Sequence, residues 1–298
     1  MNAPDTKNKT AESSVTGKTR WITFLLTCIT MMAFAANSLL TRIAFQTTTL
    51  DAASFTTIRI VSGALTLFLI LMIKGESARF SKTGLVSAFL LFLYTAAFSF
   101  AYRNISTGAG ALVLFAAAQL LMISYGIYRG ERASPLGLLL TLGGLIIFLA
   151  PGASAPPLGA AALMALAGFA WGGFSLLGKL GDSPISGTAS SFLIAIPFSL
   201  GLMSIPGQTI TIDPSGVIYA LLSGSLASGV GYAIWYWVRV RMAAITAGAV
   251  QLSVPILSAC FGALLLDETI TGRGAISALI VLIGIALVTL TTKQQNPP

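Results

Sequence analysis

Polar side chains stand inside the long apolar runs of this sequence, at positions where they can hold a small polar molecule. Arg59 follows Asp51 by eight residues, which places it about 12 Å into a helix that begins there. A guanidinium at this depth can bind a carboxylate, or it can serve the structure and extend back toward the surface. Amides and hydroxyls suited to an amino or carboxyl group, or alternatively to bonds between helices, occur at Asn37, Ser38, Gln119 and Gln251.

Aromatic side chains occur in similar runs, with the spacing of one helical face. Tyr94 and Phe98 are four residues apart, so their rings lie along one side of a helix. The other candidates are Phe34, Trp171 and Tyr232. We expect these rings to line a cavity, with packing inside the protein as the alternative. Aromatic residues near the ends of apolar runs are predicted to face the membrane interface instead, namely Trp21, Tyr102, Trp235 and Trp237.

No pattern typical of catalysis accompanies these residues. The chain has no histidine, which excludes Ser-His-Asp and Cys-His catalysis and His-ligated metal sites. Its two cysteines, Cys28 and Cys260, lie in separate apolar runs and are expected to be core residues. No phosphate-binding loop occurs. The sequence therefore predicts no catalytic residue, no metal ion and no cofactor.

The composition is that of an integral membrane protein. Hydrophobic residues make up 55% of the chain and charged residues only 9%, and the mean hydropathy is +0.88. A soluble domain carries about 25% charged residues. The net charge of +8 is spread between the apolar runs, as topology signals are, so no nucleic-acid partner is predicted. The expected partners are the lipid bilayer and a small-molecule substrate.

Polar and Gly- or Pro-containing interruptions divide the apolar part of the chain into ten predicted transmembrane helices. Residues 1–20 are expected to form a disordered tail, and residues 293–298 a second tail. Thirteen Lys and Arg residues fall on the side of the two termini and three on the other. This excess places both termini in the cytoplasm, in a multi-pass protein of the inner (plasma) membrane.

Two short patterns occur twice at one offset. Ser-Leu-Leu-x-(Arg/Lys) and Glu-x-x-(Ser/Thr)-x-x-Gly each recur 137 residues later, the second pattern beginning at Glu131 and Glu268. They predict two units of five helices, 21–151 and 157–292, and the second unit is inverted because five is an odd number. We interpret both glutamates as turn residues before the fifth helix of each unit, rather than as substrate or proton sites.

Two such units, each with a Glu-x-x-(Ser/Thr) turn before its fifth helix, resemble the EamA-type domains of the drug/metabolite transporter superfamily. Residues 243–287 carry the strongest likeness, with Pro255 in the ninth helix, and Arg59 stands where the family often shows an arginine. The first unit is more divergent and has Gln119 near the position that corresponds to Pro255. The aromatic interior resembles that of YddG-like exporters of aromatic amino acids.

The resemblance implies a transporter that works by alternating access without ATP hydrolysis, around a cavity between the units. No Asp or Glu lies in the middle of a predicted span, which favours facilitated diffusion over proton antiport. The expected cargo is an exported metabolite, an aromatic or apolar amino acid or a flat aromatic compound. An exporter of drugs or other metabolites is the alternative. A scaffold or an intramembrane enzyme is disfavoured, because neither explains the inverted repeat.

Overall fold

The computed structural model describes residues 6–78, 82–128, 130, 134–150, 155–177, 184–205, 209–239 and 250–291. Throughout this part of the chain the regular structure is helical, without a β-strand. The helices are α1 (Thr6–Thr47), α2 (Ala52–Lys74), α3 (Lys82–Tyr102), α4 (Thr107–Tyr128), α5 (Pro135–Leu149), α6 (Leu158–Leu177), α7 (Pro184–Met203), α8 (Pro214–Arg239), α9 (Ser253–Leu265) and α10 (Gly272–Thr291).

Seven of these helices are long and apolar enough to cross a membrane. They are α1 from Trp21 onward, α2, α3, α4, α6, α7 and α8, whereas α5, α9 and α10 contain shorter apolar segments. The prediction of an all-helical membrane protein is confirmed. The ten helices of the described residues are compatible with ten spans.

Helix α1 begins at Thr6, within the segment for which the sequence predicts a disordered tail. Extending an existing helix by one residue requires far less than starting a new one, so the helix continues beyond the apolar span. The apolar part of α1 itself starts at Trp21, which is the predicted boundary.

Short polar residues fix where several helices begin. Ser134 caps α5 and Thr271 caps α10, each by accepting a hydrogen bond from the amide three residues later, at 3.2 and 3.1 Å. Pro135 occupies the first turn of α5, where its missing N–H costs nothing. Asp51 caps α2 in the same way. The Ser and the Thr of the repeated Glu-x-x-(Ser/Thr) pattern therefore both cap the helix that follows them.

The helices pack as a bundle in which many contacts join helices that are far apart in the sequence. Helix α2 packs against α7, and α5 against α10. Helix α6 packs against α3 and α4, whereas α1 packs against α8 and α9. Helices α2 and α8 cross closely at Gly224, where a Cβ would collide with Ser62 Oγ and with the carbonyl of Arg59. The crossing brings α8 against Arg59.

Candidate functional site

A small cavity lies between α1, α3, α4, α6 and α8. Its volume is about 20 Å³, which is room for a single water molecule. The cavity in this structure therefore has no room for a molecule larger than water. Seven of the ten residues predicted as a binding site line it: Phe34, Asn37, Ser38, Tyr94, Phe98, Trp171 and Tyr232.

Trp171 lies at the centre of the aromatic wall of this cavity. Its ring is 5.2 Å from that of Tyr94 and 5.3 Å from that of Tyr232, with which it is stacked at 28°. Phe34 meets Trp171 edge-on at 6.2 Å and Tyr232 at 5.8 Å. Such ring pairs contribute about 0.5–1.5 kcal/mol each beyond burial. The wall is thus a set of aromatic rings in mutual contact on one side of the cavity.

A chain of hydrogen bonds runs behind the wall. Ser223 Oγ donates to Asn37 Oδ1 at 2.6 Å, and Asn37 Nδ2 donates to Tyr94 Oη at 3.4 Å. Arg59 Nη2 donates to the same Tyr94 oxygen at 2.9 Å, and Arg59 Nε donates to Ser228 Oγ at 3.3 Å. These four bonds join α1, α2, α3 and α8 around the cavity.

A π-helical segment of α8, Ser223–Val230, supplies both serines of this chain. Residues five apart in an α-helix point about 140° away from each other, but in a π-helix, with its wider turn, they share a face. The π segment therefore lets Ser223 and Ser228 both face the cavity side of α8. A pattern search with a period of 3.6 residues cannot detect this pair, and the sequence analysis missed it.

Arg59 is fully buried, so it does not extend to the surface. Its guanidinium carbon lies 4.8 Å from the ring centre of Phe98 and 5.2 Å from that of Tyr94. Contacts of this kind contribute about 0.5–2 kcal/mol each. Nη1 has no hydrogen-bond partner among the described residues, and none of the described carboxylates forms an ion pair with Arg59. A buried charge without a counter-charge costs several kcal/mol.

The two predicted glutamines stand apart from the seven lining residues. Gln119 is buried in α4, four residues after the lining residue Phe115, and its Nε2 has no partner among the described residues. Gln251 is half-buried near the start of α9. Neither side chain lines the cavity. The sequence analysis missed four small or apolar lining residues, Ala111, Leu114, Phe115 and Ala227. Only Phe115, as an aromatic residue inside an apolar run, carries a signal that could have found it.

The expectation that Cys28 and Cys260 are core residues is wrong, because both side chains are exposed on the outer surface of their helices.

The prediction that Tyr102 and Trp235 face the membrane interface is also wrong. Tyr102 is fully buried, and its hydroxyl donates to the carbonyl of Thr107 at 3.2 Å. Trp235 is 7% exposed and packs edge-on against Phe34 at 6.0 Å. The position of a residue along a helix gives its depth in the membrane but not the side on which it lies. Trp21, by contrast, is 73% exposed, as expected of an interfacial residue.

Glu268 lies in the predicted turn before α10 and also binds two other parts of the chain. Its Oε1 pairs with Arg42 Nε at 3.2 Å, and its Oε2 accepts the amide of Thr107 at 2.7 Å, which caps α4. Arg42 Nη1 also donates to the carbonyl of Tyr102 at 2.8 Å. One carboxylate therefore ties the ends of α1, α3 and α4 to the α9–α10 turn. Its repeat counterpart, Glu131, lies outside the described residues.

Known proteins share both the sequence and the fold. The pattern of the EamA-like transporter family matches residues 158–290. The chain is 49% identical over 270 residues to the Pseudomonas aeruginosa protein PA1977, covering 89% of this chain and 94% of that protein. The chain belongs to the EamA-like transporter family.

More distant relatives of this EamA-like chain carry the word transporter in their names. The transporter YoaV of Bacillus subtilis is 24% identical over 262 residues, 81% of this chain and 88% of that protein. A transporter of Archaeoglobus fulgidus is 26% identical over 212 residues, 66% of this chain and 72% of that protein. A protein of known crystal structure superposes with a TM-score of 0.67 at 16% identity, over 90% of this chain and 97% of that one.

These matches establish the class of the EamA-like chain. It is a multi-pass membrane transporter of the drug/metabolite superfamily, in the bacterial inner membrane. The described residues contain no cluster of three or more His, Cys, Asp or Glu side chains that could hold a metal ion. The cavity lined by Trp171 is the candidate binding site of this transporter.

Proposed function

We propose that this EamA-like protein exports small metabolites, with aromatic and apolar amino acids as its main substrates. The observation that carries the proposal is the aromatic wall around Trp171, at the centre of the bundle. Transporters with inverted repeats bind their substrates near the middle of the membrane, between the repeats. A wall of interlocked rings in that place favours a flat or apolar side chain.

The transport mechanism that we propose is alternating access by rocking of two inverted units, 21–151 and 157–292. The packing of the helices supports it. In an inverted repeat each helix of the first unit corresponds to the helix five places later in the second unit. Under this correspondence the contacting pairs α2–α7 and α5–α10 are each equivalent to themselves, and the contact of α3 with α6 is equivalent to that of α8 with α1. The contact of α4 with α6 likewise maps onto that of α1 with α9. Because the contacts between the units are equivalent in this way, they allow two equivalent conformations, one open to each side of the membrane.

Coupling to protons is not part of this proposal. Among the described residues the cavity is lined by aromatic, small apolar, serine and asparagine side chains and by Leu114, without a carboxylate, and the chain has no histidine. Transport is therefore expected to be facilitated diffusion, with net export whenever the substrate is more concentrated in the cytoplasm. We also propose that both termini lie in the cytoplasm, which the excess of Lys and Arg on their side of the membrane supports.

An exporter of flat uncharged drugs or other metabolites is the alternative that the aromatic wall also suits. The fully buried guanidinium of Arg59 lies directly behind the wall. A positive charge at this distance disfavours the cationic drugs carried by many multidrug exporters.

The test is uptake by liposomes that contain the purified protein, with radiolabelled phenylalanine, tryptophan, leucine, lysine and glutamate. We expect saturable entry of the first three and little entry of the last two. Trp171→Ala should lower the rate of phenylalanine uptake at least about tenfold. Trp21→Ala, which removes an exposed tryptophan of α1, is the matched control and should keep the normal rate. Uptake that is absent for every amino acid would overturn the proposed substrate class.

A further inference from the structure

We propose that Arg59 forms an anion subsite that binds the carboxylate of the transported molecule. This inference rests on the proposed function and deepens it, because it states which chemical group a substrate must carry. The subsite is the Arg59 guanidinium, whose Nη2 donates to the Tyr94 hydroxyl in this structure and whose Nη1 is unused. The chemistry that it recognises is a compact anion with two acceptor oxygens.

The first argument is that the guanidinium of Arg59 lacks both a counter-charge and one hydrogen-bond acceptor among the described residues. The side chain is fully buried, yet it has no anionic partner among the described residues, and its Nη1 makes no hydrogen bond. Buried charges in proteins are paired or hydrogen-bonded because an unpaired one is costly. An ionisable residue inside a membrane span with unused donors is therefore expected to meet a charged ligand.

The second argument is the placement of Arg59 relative to the cavity. Tyr94 and Phe98 line the cavity, and the guanidinium lies over both rings. The two rings thus form a single layer between Arg59 and the substrate space. The Tyr94 hydroxyl accepts a hydrogen bond from Arg59 Nη2 at 2.9 Å and a longer, weaker one from Asn37 Nδ2 at 3.4 Å. A shift of this one ring would connect the guanidinium with the cavity.

The third argument is the exchange that follows when Tyr94 moves. The tyrosine oxygen accepts one hydrogen bond from Nη2 and leaves Nη1 unused. A carboxylate has two oxygens at the spacing of the two Nη groups, so it can accept from both and also neutralise the charge. The hydroxyl of Tyr94 therefore occupies half of a site that a carboxylate fills completely.

The specificity that results separates acids from their uncharged analogues. A site built to pair with a charged group rejects an analogue that lacks the group, because its own buried donors are then left without a partner. Phenylalanine should bind, and so should 3-phenylpropanoate, which has the carboxylate but no amino group. Phenylalaninamide and 3-phenylpropanamide, with the same ring and no carboxylate, should bind weakly.

The experiment measures binding rather than transport, so that it stands apart from the test of export. The thermal unfolding midpoint of the purified full-length protein is followed in a low-salt Tris buffer, free of sulfate, phosphate and carboxylate, as each of the four compounds is added, and an apparent dissociation constant is derived from the shift. We expect each acid to bind about 10- to 100-fold more tightly than its amide. Equal binding of acid and amide to the unmodified protein, or no binding of either, would overturn the subsite without any variant.

Three variants show whether Arg59 is the cause of the selectivity. Arg59→Gln should bring the acid and amide constants to within about threefold of each other, and Arg59→Lys should restore part of the difference. Arg42→Gln removes an arginine that already has a carboxylate partner, and it should leave the ratio unchanged. A purely structural Arg59 would weaken acid and amide equally in Arg59→Gln, which would overturn the proposal.

Two further measurements distinguish a substrate subsite from a site for inorganic anions, and the subsite from the proposed export. Chloride titrated alone should not shift the unfolding midpoint as much as 3-phenylpropanoate does, and an equal shift would assign the site to an inorganic anion and overturn the substrate role. Selective binding of the acids by a protein that transports none of them would support the subsite and refute the proposed export.

Discussion

Arg42 and Arg59 are two interior arginines with opposite surroundings. Arg42 lies near the end of α1, where it pairs with Glu268 at 3.2 Å and donates to the Tyr102 carbonyl. Arg59 lies deeper, in α2, against two aromatic rings and two hydroxyls, without a described carboxylate partner. The protein supplies a carboxylate partner for the guanidinium of Arg42, but none of the described residues supplies one for that of Arg59.

This difference indicates that the Arg42 site contributes to stability and the Arg59 site to ligand binding. The side chains of Arg42 and Glu268 are only 16% and 12% exposed, so their attraction is weakened little by water, and Glu268 also caps α4. That cluster holds helix ends together. Arg59 has an unsatisfied donor at a central position, which reduces stability and leaves room for a ligand to supply what is missing.

The largest effect is expected from removing the charge of Arg59. Arg59→Met should lower phenylalanine uptake at least about tenfold, because the carboxylate loses its partner. The unfolding midpoint of the ligand-free protein should stay the same or rise, since an unpaired buried charge is replaced by an apolar side chain of similar length. A midpoint that falls sharply would show that Arg59 stabilises the fold after all.

Removing the carboxylate of Glu268 should have the reverse result. Glu268→Gln leaves Arg42 without an ion pair and weakens the cap of α4, so the protein should lose about 1.5–3 kcal/mol of stability. Denaturant unfolding of the purified protein measures the loss. The ratio of acid to amide binding should not change, because Glu268 does not line the cavity. A change in that ratio would contradict the separation of the two sites.

A smaller effect in the opposite direction is expected from Tyr94→Phe. This variant keeps the ring of the aromatic wall but removes the oxygen that accepts from Arg59 Nη2. The acid then no longer competes with a hydroxyl for the guanidinium, and 3-phenylpropanoate should bind about two- to tenfold more tightly. Weaker binding of the acid would show that the hydroxyl contacts the substrate directly.

The smallest effect is expected from protons. Uptake of phenylalanine into liposomes should differ by less than about twofold with and without a pH gradient between pH 6 and 8, since the chain has no histidine. A clear acceleration by the gradient would point to a carboxylate at a span end, and Glu268→Gln, if it abolished the acceleration, would identify it.

The sequence predicted the helices and much of the cavity because both follow from simple periodicities. Tyr94 and Phe98 share a face at a spacing of four, and Trp171 lies in the middle of an apolar run, and all three line the cavity. Phe34 also lines the cavity, and it precedes Trp171 by 137 residues, the offset of the two repeated patterns.

Other parts of the site depend on features that a sequence pattern does not contain. Ser223 and Ser228 lie on one face of α8 because of its π segment, and no residue type in the sequence predicts a π segment. Tyr102 and Trp235 were misplaced because rotation of a helix about its axis is decided by its neighbours. The ion pair of Arg42 with Glu268 joins residues 226 positions apart, and the repeat shows that both positions recur without showing that they meet.

The hydrogen bond from Arg59 to Ser228 also sets an order for assembly during synthesis. The two residues are 169 positions apart, so α2 has left the ribosome long before α8 exists. Until α8 arrives, the guanidinium lacks one of its acceptors and the glycine-lined face against which α2 packs. A chain that stops before α8 therefore presents an incompletely covered positive charge within the membrane.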